Sequence, residues 1–130
     1  MGYLSPTIAV RDMKRAIEFY RDVLGFDLGA VFPSVDDLQN AAYADLSKDG
    51  MVLMLIPAAS TGVGADERLG IGVNFYMEID GNLDDYYAEL KRRGVAVAVD
   101  IKDEPFGIRD FTVKDADGYH LTFVNRLQER

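Results

Sequence analysis

The stretch VRDMKRAIEFYRDVLGF (residues 10–26) predicts an amphipathic helix that follows a strand. Its apolar residues recur three and four positions apart, the spacing of one helix face: Met13, Ala16, Ile17, Tyr20, Val23 and Leu24. Asp12 is placed to cap the start of this helix, and Gly25 is placed to end it. Apolar runs before and after the helix predict strands at 7–10, 26–32, 40–46 and 51–56. The first half is therefore predicted to form a βαβββ unit.

The second half repeats this order of elements. Strand, helix and three further strands are predicted at 73–79, 83–94, 95–101, 109–114 and 119–124. Gly25 and Gly94 are 69 residues apart, and the turn glycines Gly50 and Gly118 are 68 apart. Landmarks repeated at nearly one offset indicate an internal duplication.

The predicted class is α+β, with two tandem βαβββ modules in a single domain. Module one spans 1–57, a glycine-rich linker spans 58–70, and module two spans 71–130. A helix covers only one face of its sheet, so we expect the two sheets to form a curved cup with the helices outside. The hollow of such a cup is the default ligand site.

Composition excludes several classes of protein. The chain of 130 residues has no cysteine and one histidine, so disulfides, thiolate centres and a three-histidine zinc site are excluded. Its net charge of −8 argues against sequence-independent nucleic-acid binding and permits a cationic ligand. No signal sequence or membrane-length apolar run is found, so a cytoplasmic protein without membrane contact is expected.

Two stretches resemble the vicinal oxygen chelate superfamily, which includes glyoxalase I, bleomycin-resistance proteins and extradiol dioxygenases. Residues 10–26 are similar to its pattern V-x-D…A-x-x-F-Y-x-x-x-L-G-F, and EPFGIRDFTVKDADG (104–118) is similar to P-W-G-x-R-x-F-x-x-x-D-P-D-G. The resemblance covers about residues 5 to 126 and implies the cup-shaped fold. It does not choose among the activities that the superfamily contains.

The resemblance also implies where a catalytic metal would bind. Metal-dependent members use His, Glu or Gln at four corner positions, on the first and last strand of each module, and here these are Ser5, Met54, Asn74 and Thr122. A thioether, two hydroxyls and an amide are poor ligands for Mg²⁺, Mn²⁺ or Zn²⁺. We therefore expect neither a metal nor another cofactor.

His120, the only histidine, has several possible roles. Alternation on the strands places it on a face with Thr122, and places Glu78 with Asn74 and Tyr76. Glu78 and His120 are thus candidates for a weak metal site or for acid–base catalysis. His120 could instead lie exposed at the rim or hydrogen-bond a ligand from the pocket wall.

Four other residues complete the candidate ligand-binding set. Tyr43 and Tyr76 are predicted to line the cup with Met54, and Phe106 either stacks on a ligand or packs over the edge. Arg109 either binds a ligand anion or forms an internal ion pair. Tyr86 and Tyr87 are predicted to pack in the core.

The favoured function is metal-free binding of a small, partly aromatic or cationic molecule, as in the bleomycin-resistance branch. The alternative is an enzyme of the same superfamily, a lyase, isomerase or dioxygenase. An interaction module without a ligand is a third hypothesis. A homodimer is expected, because the edges of the sheets need covering.

Overall fold

The structure, a computed structural model of the chain, describes residues 2–127. The predicted module ends at residues 1 and 130 lie outside this range. The chain divides into two compact units, which we call module one and module two, and the boundary falls between residues 69 and 70. No helix in the described part of the chain is long and apolar enough to cross a membrane.

Module one contains one helix and a four-stranded sheet. Its elements are β1 (Thr7–Val10), α1 (Met13–Glu18), β2 (Asp27–Phe32), β3 (Tyr43–Lys48) and β4 (Met51–Pro57). The helix continues as a π-helical turn over Phe19–Val23, in which the N–H of Leu24 bonds to the carbonyl of Phe19 at 3.0 Å. The strand order is β1-β4-β3-β2, and only β1 and β4 are parallel.

Module two repeats the arrangement. Its elements are β5 (Asn74–Glu78), α2 (Leu83–Arg92), β6 (Ala96–Asp103), β7 (Ile108–Lys114) and β8 (His120–Arg126). The strand order is β5-β8-β7-β6, and β5 and β8 are parallel. The predicted α+β class with two βαβββ modules is confirmed.

The helix boundaries follow from local side-chain chemistry. The Asp12 carboxylate accepts the N–H of Arg15 at 3.0 Å, and Asn82 accepts the N–H of Asp85 at 2.9 Å, so each helix has an N-cap. Gly25 and Gly94 follow the helical segments with φ of 82° and 80°, the left-handed conformation that ends helices. The predicted cap at Asp12 and both predicted terminal glycines are confirmed.

Apolar side chains on the helix-facing side of each sheet form the core. In module one, Leu46, Leu53 and Leu55 are buried with Ile17 and Tyr20 of the helical segment. In module two, the rings of Tyr86 and Phe123 meet edge to face at 5.1 Å, and Tyr87 lies 4.8 Å from Phe111. Both tyrosines thus pack against the core, as predicted.

The third strand, β3, begins three residues later than the sequence predicts, the largest difference at the start of a strand. The predicted strand 40–46 starts at Tyr43, because the carboxylate of Asp37 accepts the backbone N–H and the side-chain amide of Asn40. These bonds hold residues 37–40 in a turn. The turn chemistry of Asp37 overrides the apolar run that follows it.

Candidate functional site

The candidate site in module two lies on the sheet face opposite α2. Because Phe111 and Phe123 contact the tyrosines of α2, alternation turns Thr112 and Thr122 to the other side. The pairing register adds the alternate residues of β5 to that side. We call this set the far face of module two: Asn74, Tyr76, Glu78, Asp110, Thr112, His120, Thr122 and Val124.

Three far-face side chains form a continuous hydrogen-bond chain. The Thr122 hydroxyl donates to Asn74 Oδ1 at 2.9 Å, and the hydroxyl oxygens of Thr112 and Thr122 are 2.7 Å apart. Both threonines are buried, with Thr122 only 1% exposed, whereas Asn74 is exposed. The predicted corner residues Asn74 and Thr122 are therefore brought together, and they bond to each other.

Tyr76 and His120 flank this chain on the same face. Tyr76 lies beside Thr122 in the parallel register, and its side chain is 59% exposed. His120 begins β8, is half-buried, and lies opposite Asn74 on one side and Lys114 on the other. The exposed ring of Tyr76 and the amide of Asn74 thus stand close together at the surface.

The structure does not bring Glu78 and His120 together. Asn74 pairs with His120 and Glu78 pairs with Val124, so the two candidates lie four positions apart along the strands, about 13 Å. The Glu78 carboxylate instead lies 3.0 Å from Nε of Arg126. A shared metal site or a joint acid–base role for this pair is incompatible with that register.

Arg109 forms the internal ion pairs that the sequence left open as one alternative. Its guanidinium donates two hydrogen bonds to Asp84, at 2.8 and 3.1 Å, and one to Asp103 at 3.0 Å. These bonds raise the pKa of Arg109 further above its usual value. Arg109 shares its strand side with Phe111, so it lies on the α2 side and not on the far face. The structure thus favours the ion-pair alternative for Arg109.

Phe106 lies in the turn between β6 and β7. Its side chain is 64% exposed, and the turn is closed by the N–H of Glu104 bonding to the carbonyl of Ile108 at 2.7 Å. The ring of Phe106 is therefore not part of the buried core, and its exposed face could stack on a planar ligand.

A buried carboxyl group on the far face was missed by sequence reasoning. Asp110 is 3% exposed and is hydrogen-bonded to Glu104. Burial, followed by the bond to Glu104 and the charge of Glu104, raises the pKa of Asp110 to about 6, against the opposing effect of Lys102. Alternation along β7 was the available signal, since it puts Asp110 on the side of Thr112.

The face of module one opposite α1 is more apolar. Met54 lies between Thr7 and Asp45 in the register, and the rings of Phe32 and Tyr43 are 6.1 Å apart. Ser5 precedes β1, where the N–H of Met54 bonds to the carbonyl of Pro6 at 3.0 Å. The far face of module one therefore combines a thioether, two aromatic rings and one carboxylate.

The carboxylate of Asp45 is held by an irregularity in the sheet. Its Oδ1 accepts the N–H of Ala30 at 3.1 Å, and its Oδ2 accepts the hydroxyl of Tyr43 at 2.9 Å. The register of β2 shifts between Leu28 and Val31, and a Cβ on Gly29 would overlap Asp45 Oδ1. Burial, and then the bond to Asp45, raise the pKa of the Tyr43 phenol.

The four corner residues do not fit a divalent metal. Asn74 Oδ1 is already engaged by Thr122, and Met54 and Ser5 offer a thioether and a single hydroxyl. Within residues 2–127, no three His, Cys, Asp or Glu side chains are grouped so that they could hold a metal ion. The donor set is unlike the carboxylates and imidazoles that such ions require.

An open polar hollow of about 680 Å³ lies near the start of α2, and Glu78 of the far face is one of its lining residues. Its polar side chains are tied into the fold: Asn125 accepts the N–H of Leu83 at 2.9 Å, and Glu78 pairs with Arg126. None of the predicted ligand-binding residues lines this hollow, so the far face remains the candidate site.

Comparison with known proteins identifies the family. The sequence model of the Glyoxalase/Bleomycin resistance protein/Dioxygenase superfamily matches residues 2–123. The chain belongs to this superfamily. None of the curated proteins compared with it matches significantly.

Several solved structures share the fold. TioX from Micromonospora sp. ML1 is 22% identical, with a TM-score of 0.77 over 98% of this chain and 100% of TioX. TnmS3, an antibiotic binding protein from Streptomyces sp. CB03234, is 25% identical, with a TM-score of 0.74 over 97% of each chain. A glyoxalase/bleomycin resistance protein from the same Streptomyces is 26% identical, with a TM-score of 0.70 over 93% of this chain and 97% of the other.

Proposed function

We propose that this protein binds and sequesters a small, partly aromatic molecule without a metal ion. Membership of the superfamily and the similarity to an antibiotic binding protein support ligand binding. The proposal includes action in the cytoplasm and a homodimer, which would appear in solution as twice the 14.4 kDa mass of the chain.

The observation that carries the proposal is the hydrogen bond between the two corner residues of module two. Thr122 donates to Asn74 Oδ1, so the amide oxygen is engaged with a neighbour. A neutral hydroxyl and a neutral amide also lack the charge that holds a divalent ion tightly. The corner is suited to hydrogen bonding with an organic ligand.

Exposed aromatic rings near the corner support binding of a partly aromatic ligand. Tyr76 stands beside this corner, and Phe106 follows β6 in the same module. Stacking of a flat ligand ring on such a side chain contributes about 0.5–1.5 kcal/mol beyond the area that it buries. The net charge of −8 further favours ligands that carry positive charge.

A thermal-shift screen with metal controls tests the proposal. Glycopeptide antibiotics, aromatic metabolites and glutathione conjugates form the panel, and Mn²⁺, Zn²⁺, Ni²⁺ and Fe²⁺ form the metal arm. A ligand at 100 times its Kd should stabilise the protein by about 2.7 kcal/mol, whereas the metals should leave the melting temperature unchanged. Stoichiometric metal in the purified protein, with a rise in melting temperature on adding it, would contradict the proposal.

A variant and a mass measurement sharpen this test. Tyr76→Ala should weaken a ligand found in the screen about tenfold, whereas Val35→Ala, at an exposed apolar residue of module one, should not. Ligand recovered from the complex should have an unchanged mass and an unchanged NMR spectrum, since an isomerase would alter the spectrum without altering the mass. A changed mass would favour the alternative, an enzyme of the same superfamily.

A further inference from the structure

We infer that the Thr112–Thr122 pair fixes Asn74 as an outward hydrogen-bond donor, so that the far face of module two selects an aromatic ligand bearing a carbonyl oxygen. This inference rests on the proposed function and names the ligand class of that same site. It assigns Asn74 direct contact with the ligand, and it makes the two threonines positioning residues.

The direction of the hydrogen-bond chain follows from proton counting. A hydroxyl group carries one proton, and that of Thr122 is donated to Asn74 Oδ1. The 2.7 Å contact between the two hydroxyls must therefore use the proton of Thr112. Both hydroxyls are buried, so water does not compete for them. The chain runs in one direction, from Thr112 through Thr122 to Asn74.

This direction decides what Asn74 presents at the surface. With Oδ1 turned to Thr122, the Nδ2 group and its two protons are on the other side of the carboxamide. Asn74 is exposed, so these protons are available to a ligand. The position from which metal-dependent members offer an electron pair to a cation here offers a proton to an acceptor.

The neighbours of Asn74 restrict the ligand further. Tyr76 is two positions along β5, about 7 Å away on the same side, and its ring is exposed. A flat ring resting on Tyr76 would place an oxygen attached to that ring within reach of Asn74. Beyond Tyr76, the carboxylate of Glu78 is paired with Arg126, so the next position does not offer a free anion. An exposed ring for stacking and an N–H donor about 7 Å away together suit an aromatic ketone.

A matched pair of probes isolates the carbonyl group. 1-Indanone and indane have the same ring skeleton and differ in the ketone oxygen. A neutral hydrogen bond should make 1-indanone bind about three- to tenfold more tightly than indane. Chemical-shift titration in ¹⁵N-labelled protein gives both affinities, and the Asn74 side-chain NH₂ signal should move with 1-indanone only.

Asn74→Asp is the decisive variant. An aspartate keeps an oxygen to accept the Thr122 hydroxyl but has no N–H to offer, so the preference for 1-indanone should fall to about one. Thr122→Val should reduce the preference about twofold by releasing the carboxamide, and Thr122→Ser should restore it by returning the hydroxyl. A purely structural role for Thr122 would instead weaken both probes equally.

The outcomes separate this inference from the function on which it depends. If both probes bind equally and the Asn74 signal does not move, the inference is wrong while ligand binding stands. If neither probe binds to the far face, this inference is overturned, and the thermal-shift screen decides the proposed function separately. A preference for 1-indanone that survives in Asn74→Asp would also overturn the assignment of Asn74.

Discussion

The two modules use the same sheet position for opposite purposes. Asp45 pairs with Met54 in module one, and Thr112 pairs with Thr122 in module two, so the two residues occupy equivalent places. The Asp45 carboxylate turns away from the corner strand, toward Ala30 and the edge of its sheet. Thr112 turns toward the corner strand and orients it. The two modules share one order of elements. At this position module one has a carboxylate that ties down the edge strand, which we call the Asp45 clasp, and module two has a hydroxyl that bonds to Thr122.

The largest predicted effect comes from disturbing the clasp. Gly29→Ala should lower the free energy of unfolding by about 3 kcal/mol, because its Cβ would overlap Asp45 Oδ1 and displace the carboxylate from its bonds to Ala30 and Tyr43. Denaturant unfolding measures this change. Gly2→Ala, which meets no atom within 4 Å, is the control and should be nearly neutral. In an Asp45→Ala background most of the cost should disappear; an undiminished cost would show that the clasp is not its origin.

The second prediction concerns the buried carboxyl group of module two. The pKa of Asp110 is about 6 in the folded state, above its usual 3.8, so the folded state binds more protons between these values. The contribution of Asp110 to the free energy of unfolding should therefore be greatest below about pH 4. It should fall by an amount on the order of 2 kcal/mol as pH rises through 6.

Asp110→Asn checks this prediction. The neutral amide needs no proton to lie beside Glu104, so the variant should lose the fall between pH 4 and 6 and be more stable than the parent protein at pH 7.5. Urea unfolding at a series of pH values measures both effects. Asp27→Asn, at an exposed carboxylate of module one, should leave the pH profile unchanged. An unaltered profile in Asp110→Asn would assign the dependence to another group.

The smallest predicted effect separates the tyrosines of the two modules. Tyr43→Phe removes the hydroxyl that donates to Asp45 and should cost about 1 kcal/mol of unfolding free energy. Tyr76→Phe alters an exposed side chain and should change stability by less than about 0.5 kcal/mol. Equal costs would contradict the division between a structural face and a binding face.

Periodic and capping signals in the sequence were sufficient to predict the fold. The helix-face spacing, Asp12 and the paired glycines Gly25 and Gly94 are local signals, and the structure contains the elements that they indicate. These local signals do not determine the register in which neighbouring strands pair. Glu78 and His120 share a face, but their distance along the strands depends on which residues pair between β5 and β8, and no turn links those strands directly.

The site was predicted less well, because side-chain direction depends on tertiary partners. Asn74 and Thr122 were both predicted as corner residues, but the sequence did not reveal that the Thr122 hydroxyl donates a hydrogen bond to Asn74. The sequence left Arg109 between a ligand anion and an internal ion pair, although its alternation with Phe111 already indicated the helix side. Asp110 lies between these two residues, and the sequence did not indicate that its carboxyl group would be buried.

The shifted register of β2 also bears on strand pairing between two molecules of this protein. β2 and β6 are edge strands of their sheets, and both contain register irregularities. Bulges twist an edge strand, so that it is a poor template for a strand from another molecule. The clasp at Asp45 thus protects this edge from β-aggregation at high protein concentration, in addition to holding the sheet together.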